Sequence, residues 1–130
     1  ENKGTPQVTV EEVYRWNPDR IYITNFSNAI PEDLYNNTFQ NYDWSNIRAV
    51  KEKNVYKMPL GIYRWYVTNT DSPLTLLWLA KEHHPDLFAD IDVNQEIKEF
   101  YKKFYKINLS DADIQQIYTP KREAAGGIKK

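Results

Sequence analysis

A short stretch of the chain sets one cation among aromatic rings. Residues 61–66 read Gly-Ile-Tyr-Arg-Trp-Tyr, which places Arg64 beside Tyr63, Trp65 and Tyr66. A guanidinium is a planar cation with five donors, tyrosine hydroxyls add neutral donors, and rings that exclude water strengthen the attraction between the cation and an anion. The pattern favours a binding site for an anion. The alternative is a surface loop whose rings cover the core.

The residue types that enzymes use are not arranged for catalysis. The four glycines form no phosphate-binding loop, and no Gly-x-Ser-x-Gly sequence occurs. Cysteine is absent, which excludes disulfides and thiolate metal sites. His83 and His84 are adjacent, so on a helix their side chains diverge by about 100° and do not share a metal ion. We therefore expect no enzymatic activity, no cofactor and no metal site.

The overall composition narrows the class of protein further. The chain has 130 residues, of which 41% are hydrophobic, so it can form one modest core. Its net charge of -1 argues against a general nucleic-acid binder, which needs an excess of lysine and arginine to neutralise phosphates. Aromatic residues make up 15% of the chain, and such side chains suit either a core or a half-exposed binding surface.

The elements that precede the ring-rich stretch begin with a helix. Thr9 predicts its N-cap, because the Thr9 hydroxyl and a glutamate three residues later can form the reciprocal pair of a capping box. This helix covers residues 10–16 and ends near Asn17-Pro18, since the residue before a proline avoids helical geometry. Arg20–Thr24 is β-branched and aromatic and is predicted as a strand. Asn25–Asn28 then forms a loop at the carboxyl end of that strand.

The middle of the chain carries a second strand and a long loop. Pro31 predicts the start of a second helix, a single helical turn falls within residues 41–50, and Val55–Met58 is predicted as a strand. Pro59–Asp71 is a loop that contains the ring-rich stretch. Ser72 is predicted to cap the next helix, which is apolar nearly all round and is therefore expected to be buried.

Two further helices and a tail complete the chain. Asp92 predicts the N-cap of a helix whose apolar stripe consists of Ile97, Phe100, Tyr101 and Phe104. Ser110 begins a last short helix, with Ile114, Ile117 and Tyr118 facing inward. Residues 119–130 lack apolar periodicity and are expected to form a flexible tail, which leaves residues 1–118 as the folded part.

Helices that alternate with two short strands predict the α/β class. Sheets usually contain more than two strands, so either further strands escape the sequence pattern or the first strands of this domain lie upstream of Glu1, and we favour the second interpretation. In an open α/β sheet, ligands bind beyond the carboxyl ends of the strands. Because the loops Asn25–Asn28 and Pro59–Asp71 both follow strands, we expect them to form one wall of a ligand site.

Several stretches of the chain form an ordered pattern. Residues 8–24 read VTVEEVYRWNPDRIYIT and residues 44–55 read WSNIRAVKEKNV; Gly61, Trp65, Ser72-Pro73, LLWLAK, HPDLF and EIKEFYKKFYKINLSDADI follow in order. This set, which spans roughly residues 8–118, resembles the class III periplasmic substrate-binding proteins of ABC transporters.

The resemblance implies a two-lobed fold and a role in transport. Family members have two α/β lobes bridged by a long helix, and they hold ferric siderophores, haem, cobalamin or, in some members, molybdate or tungstate between the lobes. This sequence resembles only the later part of the C-terminal lobe. The implied partners are therefore a missing N-terminal lobe, a metal chelate or oxyanion ligand, and the ABC permease in the membrane, with no nucleic acid. The implied location is the periplasm, or the outer face of the membrane as a lipoprotein.

The resemblance also implies roles for particular residues. Glu11 corresponds to the glutamate with which this lobe pairs with arginines of the permease. The family draws ligand contacts from the loop that corresponds to residues 61–71. The expected ligand-binding residues are Arg64, Trp65, Tyr63 and Tyr66, with Asn25 and Phe26 behind them. The alternative is a stand-alone protein-interaction lobe that binds no small ligand, in which Glu11 matters and Arg64 does not.

Overall fold

The computed structural model describes residues 7–125 of the chain, and these residues form two compact units. The first unit contains residues up to Ile23 together with Ala29–Tyr56, and the second contains Thr24–Asn28 together with the chain from Lys57 onward. The class is α/β with a small parallel sheet of two strands, as the alternation of elements predicted.

The first unit carries three helices and all but the last residue of the two paired strands. The helices are α1 (Val10–Trp16), α2 (Pro31–Tyr35) and α3 (Arg48–Lys51), and the strands are β1 (Ile21–Ile23) and β2 (Val55–Lys57). Both strands lie where they were predicted and are shorter by one or two residues. Helix α1 begins with the predicted capping box, because the Thr9 backbone N–H donates to Glu12 Oε2 at 2.8 Å and the Glu12 N–H donates to Thr9 Oγ1 at 3.3 Å.

The core of the first unit is built from side chains of almost every element in it. Its members are Ile23, Ala29, Leu34, Trp44, Ile47, Ala49, Val50 and Val55. Two polar groups reach into this core with their hydrogen bonds satisfied: Trp44 Nε1 donates to the Phe39 carbonyl at 3.0 Å, and Tyr35 Oη donates to the Val55 carbonyl at 3.3 Å. The unit therefore buries its large rings without leaving these polar groups unpaired.

The second unit is mainly helical. Its elements are α4 (Ser72–His83), α5 (Val93–Phe100), a π-helix (Tyr101–Tyr105), α6 (Asp111–Tyr118) and α7 (Arg122–Ala125). Ser110 caps α6 as predicted, and Ile114 and Ile117 are buried. Helix α7 lies within residues 119–130, which we expected to be a tail; residues 126–130 lie outside the described part of the chain.

The start of α4 differs from the prediction. Ser72 is not its N-cap; that position belongs to Asp71, and Ser72 is the first helical residue. The Ser72 hydroxyl instead accepts a hydrogen bond from the Asn69 backbone N–H at 2.9 Å, because Asn69 and Ser72 form the tight turn that leads into the helix.

The burial of α4 also differs from the prediction. Leu74, Thr75 and Trp78 are buried, whereas Leu76 is 70% exposed. Leu76 lies about 200° round the helix from Leu74, so the rest of the described chain covers one face of α4 and not the opposite one. The expectation that α4 is buried all round is therefore wrong.

A π-helix replaces the last turn of the predicted amphipathic helix. Its wider turn moves the inward position by one residue. Ile97 and Tyr101 are buried as predicted, but Phe104 is 60% exposed, so its predicted inward orientation is wrong. Tyr105 takes the inward position instead, with its hydroxyl directed at Asp71.

Candidate functional site

The two loops that follow the strands belong to the second unit, and a buried lysine of the same unit holds one of them. Lys57 Nζ donates to the carbonyl oxygens of Thr24 at 3.0 Å and Ser27 at 2.6 Å. The side chain of Asn25 donates to the Met58 carbonyl at 2.8 Å. These bonds place the Asn25–Asn28 loop beside the start of the loop that carries Arg64.

Arg64 is held by hydrogen bonds and rings and not by an acid. Its Nε donates to the Asn25 carbonyl at 3.2 Å and its Nη1 donates to Tyr63 Oη at 3.3 Å. Its Cζ lies 4.7 Å from the centre of the Phe26 ring and 5.3 Å from that of Tyr63, which is cation–π distance. In residues 7–125 no carboxylate forms an ion pair with Arg64, so its remaining donors are available to an anion.

The rings around Arg64 are half-exposed. Phe26, Tyr63 and Tyr66 are 52%, 46% and 48% exposed, and the Phe26 and Tyr66 rings meet edge to face with centroids 5.6 Å apart. We call Phe26, Tyr63, Arg64 and Tyr66 the Arg64 cluster. It combines a cation, two phenolic hydroxyls and apolar ring faces on one surface of the second unit.

Two of the expected ligand-binding residues lie beneath this surface. Trp65 is 1% exposed and Asn25 is fully buried. The Trp65 carbonyl accepts a hydrogen bond from Thr75 Oγ1 at 2.8 Å, which ties the loop to α4. In this structure both residues support the Arg64 cluster from below, and their contact with a ligand stays a prediction.

A buried carboxylate, which the sequence analysis did not single out, closes the loop. Asp71 is fully buried. Its Oδ2 accepts hydrogen bonds from the Ile62 backbone N–H and from Tyr101 Oη, both at 3.0 Å, and its Oδ1 accepts one from Tyr105 Oη at 2.9 Å. Burial and the neighbouring charge of Asp71 raise the pKa of the Tyr101 hydroxyl well above its usual range, so this hydroxyl remains a donor at neutral pH.

Gly61 lies against the same group of side chains. A methyl group at its Cα would collide with Tyr101 Oη, Asp71 Oδ2 and Trp65 Nε1. The loop therefore requires glycine here because of the close approach of three side chains, and not because of an unusual backbone angle, since its φ is not positive.

Glu11 lies in the first turn of α1, in the other unit, and its side chain is exposed. The neighbouring Glu12 is half-buried and its carboxylate is bonded to the Thr9 backbone N–H in the capping box. Of the two adjacent glutamates, Glu11 is therefore the one whose carboxylate is not used by the cap.

A separate groove of about 420 Å³ opens in the second unit. Its walls include Leu60, Ile62, Leu109, Ile117, Pro120 and Ala124, and no member of the Arg64 cluster lines it.

No helix within residues 7–125 is long and apolar enough to cross a membrane. The same residues contain no group of three or more His, Asp or Glu side chains placed to hold a metal ion.

Comparison with known proteins identifies relatives of this chain, although no protein-family model matches it. The molybdate-binding protein MolA of Haemophilus influenzae is 34% identical over 106 residues, which cover 80% of this chain and 29% of MolA. A periplasmic solute-binding protein of Veillonella parvula superposes with a TM-score of 0.85 at 40% identity and covers 91% of this chain. The match covers 36% of the Veillonella protein.

A third relative is CeuE of Helicobacter pylori, whose structure was determined in a Ni-His complex. It superposes with a TM-score of 0.63 at 31% identity, over 86% of this chain and 34% of CeuE. The molybdate-bound structure of MolA superposes with a TM-score of 0.61 over 81% of this chain. The resemblance found in the sequence is confirmed: the relatives of this chain are periplasmic solute-binding proteins of ABC transporters, and the chain spans 29–36% of their length.

Proposed function

We propose that this chain is part of the C-terminal lobe of a substrate-binding protein that captures an anionic, metal-containing ligand and delivers it to an ABC permease. In this proposal the chain contributes one wall of the site, and an N-terminal lobe supplies the other. The observation that carries the proposal is Arg64, a cation in an exposed ring cluster with no acid partner among the described residues. The relatives are transport proteins, which supports passive binding over catalysis.

Two classes of ligand fit the Arg64 cluster. A small oxyanion such as molybdate or tungstate would accept hydrogen bonds from the guanidinium and the tyrosine hydroxyls, and the name of MolA supports this class. A ferric siderophore would use the half-exposed rings as apolar walls. The chemistry common to both is a negative charge at Arg64, with Tyr63 and Tyr66 as neutral donors and Phe26 as a ring face.

The proposal is tested by titrating the two-lobed protein that we propose contains this chain. Molybdate, tungstate and ferric siderophores are added in turn, and tryptophan fluorescence is recorded. We expect one class to bind saturably, and Arg64→Ala to raise its dissociation constant about 10- to 100-fold, since a hydrogen bond to a charged group contributes about 1.5–3 kcal/mol.

A matched control separates the role of Arg64 from a general loss of positive charge. Arg48 is an exposed arginine of the first unit that is paired with Asp19, and Arg48→Ala should leave the affinity unchanged. Equal affinities of the wild-type protein and Arg64→Ala for every ligand would contradict the proposal.

Docking to the permease is assigned to Glu11. Its exposed carboxylate at the start of α1 is free of the capping box and can meet an arginine of a membrane partner. We expect Glu11→Ala to weaken binding of the two-lobed protein to its permease in nanodiscs about tenfold, with ligand affinity unchanged. The control Glu12→Gln retains a capping side chain and should bind the permease normally. An equal loss of permease binding in both variants would contradict the role proposed for Glu11.

The alternative function is a protein-interaction lobe that binds no small ligand. The exposed Glu11 is compatible with it, but the unpaired Arg64 among rings is not explained by it. The relatives are periplasmic, and we propose the same location for this protein, either free or anchored to the outer face of the membrane as a lipoprotein.

A further inference from the structure

The two ends of the loop that carries Arg64 are joined through one carboxylate. Ile62 stands at the start of the loop and Asp71 at its end, and the Ile62 N–H donates to Asp71 Oδ2 at 3.0 Å. Tyr101 and Tyr105 donate to the two oxygens of the same carboxylate. The Ile62 N–H also lies 3.0 Å from Tyr101 Oη, which accepts from it. The ring-rich segment is therefore closed on itself and fastened to the π-helix around the buried carboxylate of Asp71.

This carboxylate depends on hydrogen bonds for its stability in the interior. Asp71 is fully buried, and no basic side chain of the described chain forms an ion pair with it. A buried charge without such donors would be strongly unfavourable, and hydrogen bonds to an ionised acceptor are about twice as strong as neutral ones. Each donor to Asp71 is thus held firmly in place.

The π-helix presents two hydroxyls to Asp71 at once. Tyr101 and Tyr105 occupy its first and last positions, with ring centroids 5.2 Å apart. The Tyr105 hydroxyl also bonds to Thr70, the residue that precedes Asp71. Such π-turns often occur at functional sites, and here the π-turn directs Tyr105 and not Phe104 toward the loop.

Hydrogen bonds lead from Asp71 to the backbone of Arg64. The Asp71 N–H donates to Asn69 Oδ1 at 2.6 Å, and Asn69 Nδ2 donates to the Arg64 carbonyl at 2.7 Å. Leu60 and Arg64 also pair as an isolated antiparallel bridge. The backbone of Arg64 is therefore tied to the backbone of Asp71, whose carboxylate holds the start of the loop at Ile62. Asp71 does not contact the Arg64 side chain.

We propose that Asp71, with Tyr101 and Tyr105 of the π-helix, is a positioning clamp that holds the loop of Arg64 in its ligand-binding conformation. The effect on affinity rests on the proposed function. None of the three residues belongs to the Arg64 cluster, so the clamp acts by preorganising Arg64, which lowers the cost of ordering the loop when an anion binds.

The test uses Asp71→Asn, which keeps the size of the side chain. It replaces one accepting oxygen with an NH2 group, and this group would face the N–H and O–H groups that donate to Asp71. The first readout is hydrogen exchange of the Ile62 amide in this chain, which we expect to accelerate at least about tenfold. The second readout is affinity for sodium molybdate in the two-lobed protein, which we expect to fall about tenfold. The control Asp111→Asn removes a carboxylate that pairs with Lys98 at the surface and should change neither readout.

A second variant covers the case in which Asp71→Asn does not fold. Tyr105→Phe keeps the ring and removes one donor to Asp71, so we expect faster Ile62 exchange and a smaller loss of affinity, about threefold. Its control is Tyr118→Phe, because the Tyr118 hydroxyl bonds to Asn94 on α5 and not to the loop. Far-UV circular dichroism confirms that each variant retains its helices.

The outcomes separate the clamp from the proposed function. Wild-type exchange at Ile62 in Tyr105→Phe and in folded Asp71→Asn would overturn the clamp, as would wild-type affinity in both variants alongside a loss in Arg64→Ala. Failure of the wild-type protein to bind any anion would contradict the proposed function, while the exchange measurement would still decide whether Asp71 holds the loop.

Discussion

Replacing Trp65 with alanine is expected to lower the free energy of unfolding by about 3–5 kcal/mol, the usual loss for a large ring removed from a core. Trp65 is 1% exposed, and its backbone carbonyl is bonded to Thr75 of α4. The truncation would leave a cavity below the Arg64 cluster at the point where the loop joins the helix. Because domains are stable by only about 5–15 kcal/mol, the loss is a large part of the total.

The measurement is urea denaturation followed by far-UV circular dichroism. Trp16→Ala is the matched control, because Trp16 lies at the end of α1 and is 58% exposed; its replacement should change the free energy of unfolding by less than about 0.5 kcal/mol. A Trp65→Ala variant as stable as the Trp16→Ala variant would mean that Trp65 is a solvent-facing wall of the ligand site and not part of the core.

Gly61→Ala is expected to destabilise the chain by about 1–3 kcal/mol, through overpacking against Tyr101, Asp71 and Trp65. The sign of the change is informative. Gly61 has no positive φ, so without a collision an alanine would stabilise the chain by about 0.4–1 kcal/mol through its more restricted unfolded state. In this structure, by contrast, the added methyl group would have to displace three buried side chains, and a loss of stability is expected for that reason.

The same denaturation experiment measures this effect. Ile62→Ala serves as the control for a change at the start of the loop, since the Ile62 side chain is 54% exposed and its backbone N–H is retained. An increase in stability for Gly61→Ala would contradict the close packing around Gly61 that anchors the loop.

Features that depend on neighbouring residues could be predicted from the sequence. The capping box of α1 needs only Thr9 and Glu12, three residues apart, and it is present in the structure. The N-caps Asp92 and Ser110 are likewise local and are present. The two strands and the loop that follows each of them could be located because β-branched and aromatic runs are bounded by turn residues.

Features that depend on distant residues could not be predicted in this way. The bond between Tyr101 and Asp71 joins residues 30 positions apart, and the π-helix that orients Tyr105 has no clear signal in the apolar pattern. The burial of Trp65 was not predicted, because the sequence analysis grouped Trp65 with Tyr63 and Tyr66, and only those two rings are exposed. The rings beside Arg64 in the sequence predicted the Arg64 cluster, whereas its support comes from helices far along the chain.

Whether Arg64 holds an anion can be read from the NMR signal of the Arg64 Nε–H during a titration of the two-lobed protein with sodium molybdate. That proton is donated to the Asn25 carbonyl, and Arg48, which is paired with Asp19, provides an internal control in the same spectrum. We expect a saturable shift of the Arg64 signal with the Arg48 signal unchanged. Equal shifts of both signals, or none at Arg64 while the protein binds molybdate, would contradict it.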